Sequence, residues 1–573
     1  MFQGLNAMTN GLVAHARLCL IEKFLLCPPD RLTTVLDHDS TVCLTQLDLK
    51  SKVYQARQVL RQRALEPGQV VAICMPSSME VLTVVLAAWA ERLAIALLPH
   101  DLTHTTMRDG SGLAAMLELI EPALIMTCGA IATKLPGSWS DVALTDDELL
   151  KQMSAIADYV DEPALSRPED LAILQFTSGS TGMPKAVCIS QSMLSSNCQA
   201  IAERVNVDTT DRMVSWLPLH HDMGLSALTL AWWCSIDLVL MPTHEFSRQP
   251  MAWLQALSRF KGTLSPAPTS AFALLSRLAG RVREGELDLS HWRYAWVGAE
   301  PVFYDHLRQF EIAFAVHGLQ VGVLQPAYGM AEAVVAVSLN APGQGMRVRW
   351  LDTQSLHSSM LVKEQAPGTP GSAPYLGNGT AVGETEFRVV DEHQICLTQG
   401  QLGRLQIRGD SIIRRYLKMD PVRPQAKDWY DTGDLGFLLN DEVFITGRSK
   451  DLITRAGVNV NPHIIEWALE SAFNLAAGSV AAFSCIDIQR SKECVVVVMA
   501  SNALGTRDPA ELRREVAQIV VRQAGVQVDE VLLIRRSEFP KTTSGKIQRQ
   551  ALSRLYLSNR LSSAAVNTDR VSA

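Results

Sequence analysis

Leu171-Ala172-Ile173-Leu174-Gln175-Phe176 runs without a break into Thr177-Ser178-Gly179-Ser180-Thr181-Gly182-Met183-Pro184-Lys185, and the rest of the chain is arranged around that junction. The first six residues are apolar and few enough for a buried strand. The next six contain two glycines and four hydroxyl residues, which do not continue a strand comfortably. They suit a loop whose backbone N–H groups turn inward as an anion-binding nest, with the Ser and Thr hydroxyls as further donors. Lys185 adds positive charge, so phosphate is the guest that fits. A hydroxyl-rich surface turn is the competing reading of such a composition. The order is not that of the GxxxxGK[ST] nucleotide loop, because this stretch has no Gly-Lys-Ser/Thr.

Upstream, Leu49, Val53, Ala56 and Leu60 share one helical face, and Pro67-Gly68 turns that helix into the strand Val70-Val71-Ala72-Ile73-Cys74. The pattern repeats, with Ala123-Leu124-Ile125-Met126-Thr127-Cys128 as another short buried strand. Alternating strands and helices predict α/β layers on a largely parallel sheet. The longest apolar stretch, residues 81–99, carries Glu91 and Arg92 near its middle, so it reads as a buried helix entering a strand rather than a membrane span. Residues 11–26 are interrupted by His15, Arg17, Glu22 and Lys23, and read as an amphipathic helix rather than a signal peptide.

Downstream, a helix is predicted over Gln191–Val205, followed by Val214-Ser215-Trp216-Leu217-Pro218-Leu219-His220-His221-Asp222-Met223-Gly224-Leu225. Adjacent histidines on a strand point to opposite faces, so the pair is a poor metal site. His221 stands where an apolar strand opens into a Gly-containing turn, a place suited to substrate contact; a structural loop histidine is the alternative. Tyr294-Ala295-Trp296-Val297 leads into Gly298-Ala299-Glu300-Pro301, and Gly322-Val323-Leu324-Gln325 leads to Tyr328-Gly329-Met330-Ala331-Glu332. Both predicted strands end in small residues that admit a planar ligand, as expected of one nucleotide pocket at the carboxyl ends of parallel strands. Residues 333–382 are rich in Gly, Pro, Ser and Gln and read as a surface excursion or a small inserted motif, with Leu356, Met360, Leu361 and Val362 as candidate anchors. Antiparallel strands are expected at Glu386-Phe387-Arg388-Val389-Val390-Asp391 and Arg404-Leu405-Gln406-Ile407-Arg408-Gly409. A complete second pattern follows Ser449-Lys450-Asp451, with a helix capped by Asn461-Pro462 and a terminal loop, Pro540-Lys541-Thr542-Thr543-Ser544-Gly545-Lys546.

With 573 residues the chain exceeds one core, so two or more domains are expected. A net charge of -7 argues against a nucleic acid polymer as partner. The 11 cysteines are scattered, without CxxC or zinc spacing, which suggests a reducing cytoplasm and no structural metal.

Five motifs occur in the order found in the adenylate-forming superfamily of acyl-CoA synthetases, nonribosomal-peptide adenylation domains, luciferases and fatty acyl-AMP ligases. They are Thr177 through Lys185, Tyr328 through Glu332, Tyr430-Asp431-Thr432-Gly433-Asp434-Leu435, Gly447-Arg448-Ser449-Lys450-Asp451, and Pro540 through Arg549. Leu217 through Leu225 and Gly298-Ala299-Glu300-Pro301-Val302 most resemble the fatty acyl-AMP ligases, and residues 333–382 match the place of their insertion, which hinders the rotation needed for CoA transfer. The resemblance implies an α/β fold. Its large N-terminal adenylate-forming domain, residues 1–447, would have layered sheets and helices. A small mobile α+β C-terminal domain, residues 448–573, would carry the catalytic lysine.

The implied reaction activates a fatty or related hydrophobic carboxylic acid with ATP and Mg²⁺ to acyl-AMP and pyrophosphate, then transfers the acyl group to the phosphopantetheine thiol of an acyl carrier protein. By resemblance, Thr177, Ser178, Gly179, Ser180, Thr181, Gly182 and Lys185 hold the leaving phosphates, and Glu332 holds the metal. Gly298, Ala299, Glu300, Pro301, Tyr328, Gly329 and Met330 frame adenine, while Asp434 and Arg448 take the ribose hydroxyls. Lys546 reaches between the carboxylate and the α-phosphate, and Lys450 is the hinge. His221, Trp296, Val297 and Gly298 would bound the acyl pocket, with His221 at its carboxylate end. Two departures stand out. Arg455-Ala456-Gly457-Val458-Asn459 shifts one arginine of the usual pattern and loses another, and Trp296-Val297 replaces the usual Phe-Asn, which implies a narrower, more apolar pocket. Rival readings are an acyl-CoA synthetase with CoA as acceptor, and a non-catalytic nucleotide-binding interaction module.

Overall fold

The computed structural model describes residues 18–37, 40–100, 111–135, 137–157, 162, 165–177, 184–423, 425, 427–455, 458–476, 478–487, 492–503, 505, 508–541, 547–558 and 560–561. A six-stranded sheet runs in the order Ala143–Thr145, Leu124–Thr127, Val70–Cys74, Ala94–Leu97, Leu171–Thr177, Lys185–Ser190. All its pairs are parallel except the last, where Thr177 pairs with Lys185 across an antiparallel ladder. The strand Lys185–Ser190 went unread in the sequence because it is short and sits between stronger signals. Its consequence is that residues 178–183, which lie outside the described residues, connect two paired strands.

A nine-stranded sheet has a parallel centre built from Leu324–Gly329, Tyr294–Val297, Leu264–Ala267, Arg212–Ser215, Asp237–Leu240 and Leu32–Asp37, with antiparallel strands at both edges. Strand alternation sends successive side chains to opposite faces, so a buried parallel strand must be apolar on both. Val71 and Ile73 of one sheet, and Tyr294 and Trp296 of the other, enter a shared core with the helices Met79–Ala90, Gln191–Val205 and Asp222–Cys234. Ala72 and Cys74 face a separate cluster under the helix Ser111–Ile120. Ala295 and Val297 face a third, under the helices Met251–Arg259, Thr269–Leu278 and Tyr304–Phe314. The layered α/β expectation holds.

The Met79–Ala90 helix is buried along its length, and its polar end is satisfied by protein rather than lipid. Glu91 accepts from Arg57 at 2.7 Å and Arg61 at 3.0 Å, and Arg92 forms a two-pronged pair with Asp170 at 2.9 and 2.8 Å. No described helix is long and apolar enough to cross a membrane. The helix Leu20–Leu26 buries Leu20, Ile21 and Phe24; residues 1–17 lie outside the described residues.

Residues 333–382 are structured in most of their length. Val348–Asp352 pairs antiparallel with Ser372–Leu376, and the short helix Thr353–Ser358 follows the first of them. Leu356 and Val362 join a cluster with Phe437 and Phe444, so they anchor the segment as expected. Met360 and Leu361, which lie between them in the chain, do not: they are 40% and 46% exposed. Glu386–Val390, Gly403–Arg408, Tyr430–Leu439 and Glu442–Arg448 form an antiparallel sheet in chain order.

Beyond it, Val480–Asp487, Lys492–Ala500 and Glu530–Ile534 make a three-stranded sheet covered by the helices Pro462–Ala472, Pro509–Ala524 and Arg549–Leu557. Its two clusters draw only on residues after 452, the arrangement of a small α+β unit with its own core. The displaced Arg455 is engaged inside this unit, 2.9 Å from Asp529, whose carboxylate also accepts from the Val495 N–H at 2.8 Å. The small unit meets the rest of the chain where Arg277 donates to the Leu475 carbonyl at 2.8 Å and where Phe303 and His306 contact Trp467.

Candidate active site

The carboxyl ends of the nine-stranded sheet's central strands open into a cleft enclosing about 570 Å³ of space, part of it continuous with solvent. Gly298, Ala299, Tyr328 and Gly329 line it, as the sequence predicts for a planar ligand's frame. Tyr328 and Gly329 lie inside the strand Leu324–Gly329, which begins two residues later and runs longer than predicted. No side chain fits at Gly329: a Cβ there would run into the Val335 carbonyl. Ala299 takes φ of 63°, a left-handed conformation that an alanine adopts at a cost, which turns the chain sharply after the strand. Glu300 and Pro301 are not among the cleft-lining residues; Glu300 accepts from the Ser270 N–H and so caps the helix Thr269–Leu278. Met330 is buried beside Tyr328 in a small cluster rather than in the cleft.

The remaining wall is apolar. Met213, Leu230, Pro266, Trp296 and Leu339 contribute to it, together with Ala227 and Met223 from the helix Asp222–Cys234. Trp296 is 8% exposed and its ring lies 4.9 Å from that of Tyr294, whose hydroxyl donates to the Asn340 carbonyl at 2.7 Å. Val297 does not reach the cleft: strand alternation turns it into the opposite core, a correction to its expected pocket role. His221 occupies the N-cap position of Asp222–Cys234 without capping it by its side chain, and its ring lies 4.4 Å from that of His220. Its neighbours Asp222 and Met223 line the cleft; His221 is not among the lining residues.

Two sets of polar contacts lie nearby, one through the cleft-lining Tyr328 and one around Glu332. The Tyr328 hydroxyl donates to Asp434 Oδ2 at 2.7 Å, and Arg448 Nε lies 3.0 Å from Asp434 Oδ1. The antiparallel register places Asp434 directly opposite Arg448. The Tyr416 hydroxyl donates to Glu332 Oε1 at 2.8 Å and lies 2.9 Å from the Tyr430 hydroxyl. Lys185 Nζ stands 5.3 Å from the centre of the Tyr416 ring, within cation–π range. Burial pushes the Glu332 carboxyl above its ordinary range, and the hydrogen bond from Tyr416 opposes that rise. Burial likewise raises the Tyr328 phenol, with the Asp434 charge adding to it, so the phenol stays a donor. Asp434 holds Arg448 more firmly in its charged form. Lys450 is lowered, first by burial and then by the charge of Arg448.

Lys185, Tyr328, Glu332, Asp434 and Arg448 are therefore brought together from stretches far apart in the chain, with Lys450 close enough to feel Arg448 and Lys185. Thr177 ends its strand opposite Lys185. Ser178, Gly179, Ser180, Thr181, Gly182 and Lys546 lie outside the described residues. Tyr416 and Tyr430 are the members sequence reasoning missed as site residues. The Tyr416 partner is 84 positions away, and no local pattern announces such a contact.

The family model for AMP-binding enzymes matches residues 27–417. This chain belongs to the AMP-binding enzyme family. As the order of its five motifs implies, it is an adenylate-forming enzyme. Among the relatives of this AMP-binding enzyme is a protein of Caulobacter vibrioides named provisionally as an acyl-CoA synthetase, 35% identical over 68% of this chain and 69% of that one. Another is the medium-chain-fatty-acid–[acyl-carrier-protein] ligase JamA of Moorena producens, 31% identical over 67% of each chain. A solved structure from work on the fatty acyl-adenylate ligases of E. coli and L. pneumophila superposes with a TM-score of 0.84 at 26% identity, covering 96% of this chain and 99% of that one.

Proposed function

We propose that this AMP-binding enzyme is a fatty acyl-AMP ligase that passes its acyl group to the phosphopantetheine thiol of an acyl carrier protein. The observation that carries the reading is one cavity with two kinds of wall. Gly298, Tyr328 and Gly329, the small and aromatic residues expected around a planar ligand, line it together with the apolar side chains of Met213, Leu230, Trp296 and Leu339. A nucleotide and an apolar acid would thus meet in the same space. Joining two anions is chiefly a problem of position and charge. Asp434, held by Tyr328 and Arg448, would accept the ribose hydroxyls. Lys185 and residues 177–182 would receive the departing pyrophosphate, and Lys546 would bridge the carboxylate and the α-phosphate.

The half-buried Glu332, whose carboxylate accepts from Tyr416, fits Mg²⁺, a cation that takes one or two carboxylates together with substrate phosphates. When bound, Mg²⁺ would neutralise phosphate charge. In this reading residues 1–447 bind the substrates and residues 448–573 deliver Lys546 by turning about Lys450, as lids complete other sites. The fatty acyl-adenylate ligase structure and the JamA name support the fatty acid and the carrier protein as substrate and acceptor. The Caulobacter relative's name supports a second reading, with CoA as acceptor.

Pyrophosphate release across a panel of acids, with separate analysis of acyl-AMP, acyl-CoA and acyl-carrier products, tests this directly. Acid-dependent release with acyl-AMP and acyl-carrier as products is the expected result. Efficient acyl-CoA formation would favour the second reading, and no release with any acid would favour a non-catalytic nucleotide-binding module.

A further inference from the structure

We propose that Tyr416 is a positioning residue that sets the Glu332 carboxylate for a divalent cation and orients Lys185 beside it; this rests on the adenylate-forming site described above. Residues 413–417 are fastened to both neighbours. The Ile413 N–H donates to the Glu332 carbonyl at 2.8 Å, and the Leu417 N–H donates to the Ala186 carbonyl at 2.8 Å. Tyr416 itself pairs with Val187, in the strand that Lys185 begins. One short segment therefore grips the turn carrying Glu332 and the strand carrying Lys185, and Tyr416 projects between them at 7% exposure.

The direction of the hydrogen bonds follows from donor counting. An ionised carboxylate only accepts, so the single Tyr416 proton goes to Glu332 Oε1. The Tyr416 oxygen then accepts from the Tyr430 hydroxyl, 2.9 Å away. This relay points one way and ends on the carboxylate, holding its Oε1. The ring face serves a second partner, the Lys185 ammonium at 5.3 Å. The hydroxyl thus orders the group proposed to hold the cation, and the ring orders one proposed to hold phosphate.

The test is Mn²⁺ affinity in the presence of a non-hydrolysable ATP analogue, read by loss of the free-ion EPR signal on the full chain. Wild type must bind the Mn²⁺–nucleotide pair; if it does not, the adenylate-forming site reading fails and not only this one. Tyr416→Phe keeps the ring and removes the relay. It should weaken Mn²⁺ by about tenfold or more, the usual effect of losing an outer-shell partner. The pyrophosphate-release rate should be recovered at saturating Mg²⁺, so the loss appears in the Mg²⁺ requirement rather than in kcat. A folded Tyr416→Phe that binds Mn²⁺ within twofold of wild type overturns the proposal. So does a rate deficit that saturating Mg²⁺ leaves in place. If that variant does not fold, Tyr430→Phe decides: it leaves the bond to Glu332 intact and should weaken Mn²⁺ measurably but by less than the roughly tenfold expected of losing the direct partner, whereas wild-type affinity there overturns the relay.

Discussion

Replacing Trp296 by leucine should lengthen the acids this enzyme prefers. The indole lines the cleft at the end of Tyr294–Val297 and stands on Tyr294, so a smaller side chain leaves room at the wall rather than on the far side of the sheet. Each further buried methylene is worth ~0.8 kcal/mol, so an acid longer by three carbons should gain about 60-fold in kcat/KM relative to the wild-type preference. The cost in stability should be about 2 kcal/mol, at the low end of large-to-small core changes, because one face of the ring already borders the cleft. Pyrophosphate release measured over a series of even-chain acids gives the profile, and thermal unfolding gives the stability. A folded Trp296→Leu with an unshifted chain-length optimum refutes the pocket role and returns the indole to packing alone.

Lys546→Ala should reduce acyl-adenylate formation by ~10²–10³-fold, the range for one preorganised electrostatic partner, while nucleotide binding changes little; wild-type pyrophosphate release in the variant would mean a solvated lysine. The segment 333–382 should disfavour the rotated pose needed for CoA ligation, a bias of ~3 kcal/mol leaving that pose below about 1% populated. Wild type should then make almost no acyl-CoA, and a variant shortened across the segment should gain some while keeping adenylation, which product analysis by mass spectrometry would detect. Glu470, buried and raised to about 7, accepts from the N–H groups of Ser479 and Val480. Its folded pKa is above the unfolded value near 4.5, so the native state binds the extra proton and loses stability as pH rises from about 4.5 through 7. Glu470→Gln keeps an accepting oxygen and should flatten that loss, showing a higher melting temperature than wild type at pH 8 but not at pH 4.5; parallel melting curves at all pH values would disprove it.

The class of the fold and the order of its parts were legible without coordinates. Short apolar strands alternating with amphipathic helices leave few arrangements other than buried parallel sheets, and Val70–Cys74, Tyr294–Val297 and Gln191–Val205 fall where their periodicity predicts. The motifs that place the chain among the AMP-binding enzymes were equally plain, because each is a local pattern of glycines and charges. Tertiary structure alone decided which face each residue occupies. Trp296 and Val297 are neighbours of similar hydrophobicity, and only the packing of helices on both sides of their strand sends one to the cleft and the other to the core. It also decided the company that Glu332 keeps. The hydrogen bond from Tyr416 spans 84 positions, and its geometry depends on two ladders being in register, so no window of sequence contains it. Local patterns record the free energy of neighbouring residues, whereas a site assembled from distant strands depends on how whole layers dock, and that is determined only when the chain has folded.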